Sequence, residues 1–230
     1  MNLSDHTERK NDGVRRIILL QWLQIVFGLL VFALGVHLTI FANIGLAPWD
    51  CLGMGVSYHT PLNYGLSMTS MSVVILLIDL ALKEQIGFGT IIDALLTGNF
   101  VQMYNDLNPL PENQNLWLGI AVMLAGFVLM ALGMFIYMKA AQCCGPRDSL
   151  LVGLGKRVPG MPIGVVEILL WAAVLLIGWL LGGPVGIGTL ISTVGAGAVM
   201  QLVYHFLLFE PRDVRHRDVI QVARALLRKR

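Results

Sequence analysis

The chain has 230 residues, of which 56% are hydrophobic and 13% are charged, and its formal net charge is +2. Soluble domains carry about 25% charged residues, so this composition excludes an ordinary soluble enzyme and indicates a membrane protein. Three cysteines predict no disulfide framework. We expect them to be small packing residues, with soft-metal binding by the vicinal Cys143 and Cys144 as the alternative.

Six apolar segments follow one another along the chain, and each is long enough to cross a bilayer. A helix rises about 1.5 Å per residue, so about 20 residues span the hydrocarbon core. The first segment is too long for a cleavable signal peptide, and we expect it to remain as an anchor. The six segments are residues 17–42, 65–82, 87–104, 116–140, 162–181 and 186–209.

Two shorter apolar segments, residues 49–59 and 147–157, lie between those spans. Each is too short to cross the hydrocarbon core. They are therefore predicted to be re-entrant or interfacial half-helices.

The positions of lysine and arginine predict how the chain is oriented. If residues 1–16 form a cytoplasmic tail, all 16 Lys and Arg residues fall on the cytoplasmic side. The only charged residues of the outer loop 105–115 are then two acids, Asp106 and Glu112. This pattern predicts six spans with both termini in the cytoplasm. Asp79 precedes Lys83 by four residues and is expected to pair with it at the membrane surface.

The C-terminal segment, residues 210–230, places apolar residues such as Val219 and Leu226 on one helical face and arginines elsewhere. It is predicted to be a basic amphipathic helix on anionic lipid. An ordinary positive topology anchor is an equally good interpretation, and the two are compatible.

The chain also repeats itself. A shift of 98 residues places Ala33-Leu34-Gly35 on Ala131-Leu132-Gly133, and Pro48-x-Asp50 on Pro146-x-Asp148. After one inserted residue, Gly87-x-Gly89-Thr90 falls on Gly186-x-Gly188-Thr189. Such internal similarity is the mark of a duplicated structural unit.

The two predicted units, residues 17–105 and 116–209, each contain three spans and one half-helix. Because three is odd, the second unit enters the membrane upside down. The predicted fold is therefore an all-α membrane protein whose single domain, residues 17–209, consists of two inverted three-helix repeats. This architecture recurs in secondary transporters, whose sites lie between the repeats.

Small residues recur every seven positions in the first span of each unit. They let helix backbones approach closely in lipid, and we expect them to form the contact between the first and fourth spans. They are Gly28, Gly35 and Ala42 in one unit and Gly126, Gly133 and Ala140 in the other.

The paired Pro-x-Asp elements open the two half-helices. Proline suits a first helical turn, and an aspartate there interacts favourably with the positive end of the helix dipole, so Asp50 and Asp148 are capping residues in one interpretation. In the other, they line a pathway for a cation or a proton, together with Trp49 and its counterpart Arg147.

The Gly-x-Gly-Thr elements open the third and sixth spans, with Thr90 and Thr189 as their last residues. Glycines there permit a tight turn between packed spans. The alternative is that free N–H groups at these helix N-termini hold a carboxylate or a phosphate.

Five further polar residues lie inside apolar segments. Gln102 and Gln201 occupy equivalent positions, where they bond to a neighbouring backbone or contact a substrate. Asp93 and Glu167 break the repeat symmetry, so they belong to an ion site or pair with a base such as Lys156 or Arg157. His37 is expected to be a hydrogen-bonded interior residue.

The stretch Asn43-Ile-Gly-Leu-Ala-Pro-Trp-Asp50, preceded by Leu34-Gly35 and followed by Gly87-Phe-Gly-Thr90, resembles the YczE-like family of bacterial integral membrane proteins, related to YitT and YyaS. The second copy departs from it, with Arg147 in place of the tryptophan. The resemblance implies a bacterial inner-membrane protein of transporter type, without naming a substrate.

Three functional hypotheses follow. The first is a small secondary transporter or permease for an unknown small molecule or ion. The second is a substrate-binding membrane subunit that needs an energising partner, and the third is a non-transporting accessory protein. No catalytic motif is present, so we expect neither an enzyme nor a cofactor, a metal or a nucleic-acid partner. The lipid bilayer is the expected partner, and assembly into a homo-oligomer is left open.

Overall fold

The computed structural model describes residues 3–84, 86–108, 113–140 and 145–209, with side chains described from residue 20 onward. Within these ranges the chain forms eight α-helices and no strand. In chain order they are α1 (Leu3–Phe41), α2 (Pro48–His59), α3 (Tyr64–Ala81), α4 (Phe88–Leu107), α5 (Leu116–Met138), α6 (Pro146–Arg157), α7 (Ile163–Leu180) and α8 (Ile187–Phe206). The predicted C-terminal amphipathic helix and the vicinal cysteines lie outside the described residues.

The all-α membrane class predicted from composition is confirmed. Five helices are long and apolar enough to cross a membrane, namely the part of α1 from Leu20 to Phe41 and the whole of α3, α5, α7 and α8. Helices α2 and α6 coincide within one residue with the two predicted half-helices. The remaining long helix, α4, has 20 residues but is less apolar than the other five.

Helix α4 is less apolar because it carries polar side chains whose hydrogen bonds stay within the protein. Asn105 Oδ1 lies 2.6 Å from Nδ1 of His37 in α1, and the Gln102 side chain accepts a hydrogen bond from the Gly65 N–H of α3 at 3.1 Å. Polar groups inside a membrane must find protein partners because lipid offers none. Part of the low hydropathy of α4 thus lies on its protein-facing side, while Asn99 and Asp106 of the same helix are exposed.

The outer surface of the protein is apolar, as a bilayer requires. In α7 the side chains of Ile168, Leu169 and Leu180 are 68%, 56% and 71% exposed, and only Val166, Val174 and Gly178 of that helix are buried. In water such a surface would be an aggregation site. In a membrane it is the surface that contacts lipid.

Local sequence explains where several helices begin. Proline occupies the first turn of both half-helices, at Pro48 and Pro146, where a missing N–H costs no hydrogen bond. Asn63 and Asn115 cap α3 and α5, because their side-chain oxygens accept bonds from the first backbone N–H groups of those helices.

Helices α1 and α5 form the central contact, and they run antiparallel. Gly28 lies against Gly133 and Gly35 against Gly126, so that a Cβ atom added at Gly35 would be 2.6 Å from the Gly126 carbonyl oxygen. The glycines of the seven-residue stripe therefore allow backbone-to-backbone packing. Small residues serve this purpose in membranes, where van der Waals contact drives helix association.

This contact makes the substitution Gly35→Ala costly. The added methyl group would also lie 2.7 Å from the backbone nitrogen of Met130, and overpacking of this kind costs about 2 kcal/mol. Gly195→Ala in α8 is the matched control, because the nearest atom to the added methyl group would lie at 3.7 Å. In a helix interior alanine is more favourable than glycine by about 1 kcal/mol. Unfolding in mild detergent should show a loss only for Gly35→Ala, and equal stabilities would contradict this packing.

The expected ion pair between Asp79 and Lys83 is wrong. Asp79 is fully buried in α3, and neither carboxyl oxygen has a hydrogen-bond partner among the described residues. The helix ends at Ala81 and Lys83 has a φ of +57°. The helical i,i+4 geometry is therefore lost before the lysine is reached.

One of the two alternatives for Asp93 and Glu167 is also wrong, because Lys156 and Arg157 pair with neither acid. The Lys156 ammonium lies 2.6 Å from the Glu84 carboxylate, and Arg157 donates to the Leu82 carbonyl at 3.0 Å. Both bases sit at the C-terminal end of α6, which packs against the end of α3. These two bonds hold the C-terminal end of α6 against the C-terminal end of α3.

Candidate ion or substrate site at the half-helix N-termini

The two half-helices bring their second residues together. The guanidinium carbon of Arg147 in α6 lies 5.1 Å from the ring centre of Trp49 in α2, which is a cation–π contact. Trp49 and Arg147 are the equivalent positions of the 98-residue shift. Arg147 Nη2 also approaches the sulfur of Met68 in α3, at 3.9 Å. Arg147 is therefore held between elements of both units.

Asp50 is buried beside this pair, and its partner is a tyrosine. The side chain is 5% exposed and accepts a hydrogen bond from the Tyr64 hydroxyl at 3.0 Å. Tyr64, the first residue of α3, is itself 5% exposed. This bond joins α2 to α3 and directs the carboxylate toward α3.

Asp148, the equivalent acid, has a different environment. Its carboxylate accepts a hydrogen bond from the Gly145 backbone N–H at the start of α6, and the side chain is exposed. A carboxylate bonded to the first N–H of its own helix is a helix cap. Asp148 therefore combines the capping geometry with an accessible position, whereas Asp50 is closed off.

Asp93 completes the group from α4. A Cβ atom added at Gly145 would lie 2.8 Å from Oδ2 of Asp93 and 3.8 Å from Oδ2 of Asp148, so the two carboxylates approach the same point of the chain. Asp93 also accepts a hydrogen bond from Thr97 Oγ1, one turn along α4. The two acids come from different units of the sequence repeat.

The charges in this region do not balance. The Arg147 guanidinium is close enough to act electrostatically on Asp50, Asp93 and Asp148, and Glu167 of α7 acts on Asp148. Three carboxyl groups thus share one base, and a fourth, Glu167, lies near one of the three. Arg147 and the four carboxyl groups of Asp50, Asp93, Asp148 and Glu167 are called here the Arg147 cluster. Charged groups in a low dielectric are costly unless they are compensated, so this cluster favours the binding of positive charge or of protons. Over the described ranges, no three His, Cys, Asp or Glu residues are grouped closely enough to hold a metal ion.

The N–H groups of the glycine–threonine elements bond within the protein. Thr90 Oγ1 accepts from the Gly87 N–H at 3.3 Å, and Thr189 Oγ1 accepts from the Gly186 N–H at 3.1 Å. The Gly188 N–H donates to the Ile44 carbonyl at 2.7 Å. Because these donors have partners within the protein, the turn interpretation accounts for them better than an anion site does.

The two equivalent glutamines have unlike surroundings. Gln102 joins α4 to α3 through the Gly65 N–H and donates to Asp106 at 2.7 Å, whereas the Gln201 side chain is exposed on α8. Neither is part of the Arg147 cluster. His37 is 9% exposed and bonded to Asn105, as expected of an interior histidine.

Three residues near the Arg147 cluster are not singled out by sequence patterns. Tyr64 and Met68 lie one turn apart in α3, and Tyr204 of α8 is influenced by the charge of Asp148. The Tyr204 hydroxyl has no hydrogen-bond partner among the described atoms. The one signal for Met68 is that its equivalent position holds Glu167, a site residue.

Similarity to other proteins agrees with this description. The model of a family of unknown function, DUF6198, matches residues 19–205. The chain belongs to this family. An uncharacterised Haemophilus influenzae protein is 29% identical over 183 residues, covering 80% of this chain and 83% of that protein. No solved structure matches the chain significantly.

Two further relatives of this DUF6198 protein come from Bacillus subtilis. The uncharacterised membrane protein YczE is 27% identical over 194 residues, covering 82% of this chain and 87% of YczE. The uncharacterised protein YyaS is 29% identical over 181 residues, covering 76% of this chain and 88% of YyaS. The resemblance to the YczE-like family is therefore confirmed, and the chain is a membrane protein of that family.

Proposed function

We propose that this protein is a small secondary transporter or permease of the bacterial inner membrane, and that the Arg147 cluster binds its substrate or coupling ion. The observation that carries the proposal is the excess of carboxylates over bases where the two half-helices meet. An ionisable group inside a membrane protein is costly to keep, and it marks an ion or proton pathway.

Contacts between equivalent residues support two inverted repeats. The antiparallel packing of α1 on α5 relates the equivalent first helices of the two units by an approximate twofold axis. The half-helices follow the same rule, because Gly55 of α2 packs on Leu181 after α7, and Gly153 of α6 packs on Leu82 after α3. Each half-helix thus contacts the other unit, which is how inverted-repeat transporters form a shared site.

This arrangement requires α4 to cross the membrane too, which gives six spans with both termini in the cytoplasm. Helix α4 has the length of a span, and its side chains Gln102 and Asn105 bond to α3 and α1. With α4 crossing, every lysine and arginine falls on one side, as the positive-inside rule demands. The C-terminal segment would then lie on anionic lipid at the cytoplasmic surface.

The chemistry of the Arg147 cluster favours a positively charged ligand. Trp49, Tyr64 and Tyr204 add aromatic surfaces to the four carboxyl groups, and aromatic faces attract cations. Arg147 over Trp49 already occupies one such position. An organic cation or a proton would balance the remaining negative charge.

The test is ligand-induced stabilisation of the purified protein, with and without the two equivalent acids. A ligand at about 100 times its dissociation constant adds roughly 2.7 kcal/mol to the free energy of unfolding, which is a visible thermal shift. The screen covers inorganic cations, amino acids, nucleobases, vitamins and antibiotics. We expect a stabilising ligand whose effect disappears in Asp50→Asn/Asp148→Asn.

The matched control is Asp106→Asn, because Asp106 is an exposed acid of α4 outside the Arg147 cluster. It should keep the ligand response, and the hit should then be transported by the wild-type protein in liposomes. Equal responses of the wild type and the double variant would reject the proposed site. Binding without transport by the isolated protein would favour a substrate-binding subunit that needs an energising partner.

A further inference from the structure

Helices α3 and α4 are closed against each other through two glycines. A Cβ atom added at Gly65 would lie 2.7 Å from the Gly98 carbonyl oxygen, and one added at Gly98 would lie 2.6 Å from the Gly65 carbonyl oxygen. Gln102, one turn after Gly98, accepts the Gly65 N–H. The pair of glycines and the glutamine thus form a tight backbone contact between the second and third spans of the first unit.

The second unit contains the same three residues, but its contact is open. Gly65, Gly98 and Gln102 correspond to Gly164, Gly197 and Gln201. A Cβ atom added at Gly164 or at Gly197 would meet nothing within 4 Å, and all three of these residues are exposed. Helices α7 and α8 scarcely touch, whereas α3 packs closely on α4.

The equivalent aspartates also differ in exposure, and the buried one belongs to the unit whose helix pair is closed. Asp50, which is bonded to Tyr64 of α3, is 5% exposed, whereas Asp148 is exposed and lies near Glu167 of α7 and Tyr204 of α8. One half of the Arg147 cluster is therefore sealed on the side of the closed helix pair. The other half is accessible on the side of the open helix pair.

We propose that the gap between α7 and α8 is the opening through which a ligand reaches the Arg147 cluster, and that it closes when Gly164 packs against Gly197 with Gln201 bonded to the Gly164 N–H. This inference rests on the proposed function, because it assigns the access path of the same site. We expect the closed form of α7 and α8 to have the geometry of α3 and α4, since the two units share the residues that make the contact.

Symmetry supplies the reason for two states. Two units with the same closing residues have two arrangements of similar energy, in which one pair is closed and the other open, and helix packing favours such discrete states over intermediates. A helix pair without close packing loses van der Waals contact, which is what holds helices together in lipid. The open pair α7–α8 therefore has a favourable closed form available.

Disulfide trapping tests the closure directly. The variant Ile168→Cys/Ala198→Cys is made in a chain whose native cysteines are alanines, and copper phenanthroline oxidises it in native membrane vesicles. These positions correspond to Thr69 and Asn99, whose side chains lie 3.3 Å apart in the closed pair. They leave the two contact glycines of α7 and α8 unchanged. Disulfides need Cα atoms within about 7 Å, so the bond forms only if α7 reaches α8 as α3 reaches α4. We expect a cross-linked species with altered gel mobility that a reductant reverses.

Ile168→Cys/Leu190→Cys is the matched control. It joins the same helices, but Leu190 is 72% exposed and corresponds to Ile91, which lies about two turns before Asn99 in α4. This control should not cross-link. If both cysteines of the test variant react with maleimide and yet no disulfide forms, the gap is permanent and the proposed closure is overturned.

The outcomes separate this inference from the proposed function. Cross-linking measures closure without any ligand, whereas the thermal-shift screen measures binding without any closure. A specific cross-link in a protein that responds to no cation would reject the ligand site and keep the movement. A cation response that depends on Asp50 and Asp148, combined with no cross-link, would keep the site and reject the movement.

Discussion

Arg147→Met is expected to lower the free energy of unfolding by about 3 kcal/mol, which is typical when one partner of a partly buried charge group is removed. The guanidinium is the base that acts on Asp50, Asp93 and Asp148, and it also contacts the Trp49 ring. Methionine keeps the apolar length of the side chain but leaves the carboxylates uncompensated. Denaturant or thermal unfolding in mild detergent measures the loss.

Lys139→Met is the matched control for that substitution. Its ammonium also lies over an aromatic ring, 4.8 Å from the centre of Phe135, but the side chain is exposed. A cation–π contact at an exposed site is worth about 0.5–1 kcal/mol. If Arg147→Met were no less stable than Lys139→Met, Arg147 would not be balancing the acids.

A second substitution isolates the charge effect. Adding Asp93→Asn to Arg147→Met removes one of the uncompensated carboxylates, so the double variant should regain part of the lost stability. Such non-additivity is the expected mark of residues that interact directly. Strictly additive losses would mean that the arginine acts through packing alone.

Asp79→Ala is expected to raise the free energy of unfolding by about 2 kcal/mol, because a buried polar group without a hydrogen bond costs about 1–3 kcal/mol. The Asp79 side chain is fully buried near the end of α3, and both of its oxygens lack a partner among the described residues. Alanine removes the carboxyl group and also favours the helix. The same unfolding measurement applies.

Asp106→Ala provides the comparison, since that acid is exposed and its removal should change stability by less than about 0.5 kcal/mol. A marked loss of stability in Asp79→Ala would contradict the prediction. It would show that the carboxyl group has a stabilising partner, such as an ordered water.

Much of the fold follows from local pattern. The spans and half-helices are predicted within a few residues, since apolar length and the Pro-x-Asp element are properties of consecutive residues. Helix α4 is the instructive case, because its length is spanning but Asp93, Asn99, Gln102 and Asn105 lower its hydropathy. Only its packing against α1 and α3 shows why those residues are tolerated.

The candidate site was partly predictable. Asp50, Asp148, Trp49 and Arg147 stand out because they occupy equivalent places in two copies of one motif. The expected pairing of Asp79 with Lys83 was wrong, because α3 ends before the lysine. The alternative in which Lys156 or Arg157 pairs with Asp93 or Glu167 was also wrong. Both bases contact the residues that follow α3 instead. Tyr64 and Tyr204 join the site through tertiary contacts, which leave no periodic signal.

By itself, the sequence determined the membrane class, the helix positions and the family, because hydrophobic length, proline placement and repeated motifs act locally along the chain. Only the tertiary structure decided that Arg147 faces several acids at once, and that Gly65 and Gly98 touch while Gly164 and Gly197 do not. Because both units carry the same contact residues, the sequence does not indicate which helix pair is closed. That choice depends on how whole helices pack, and packing is a property of distant segments taken together.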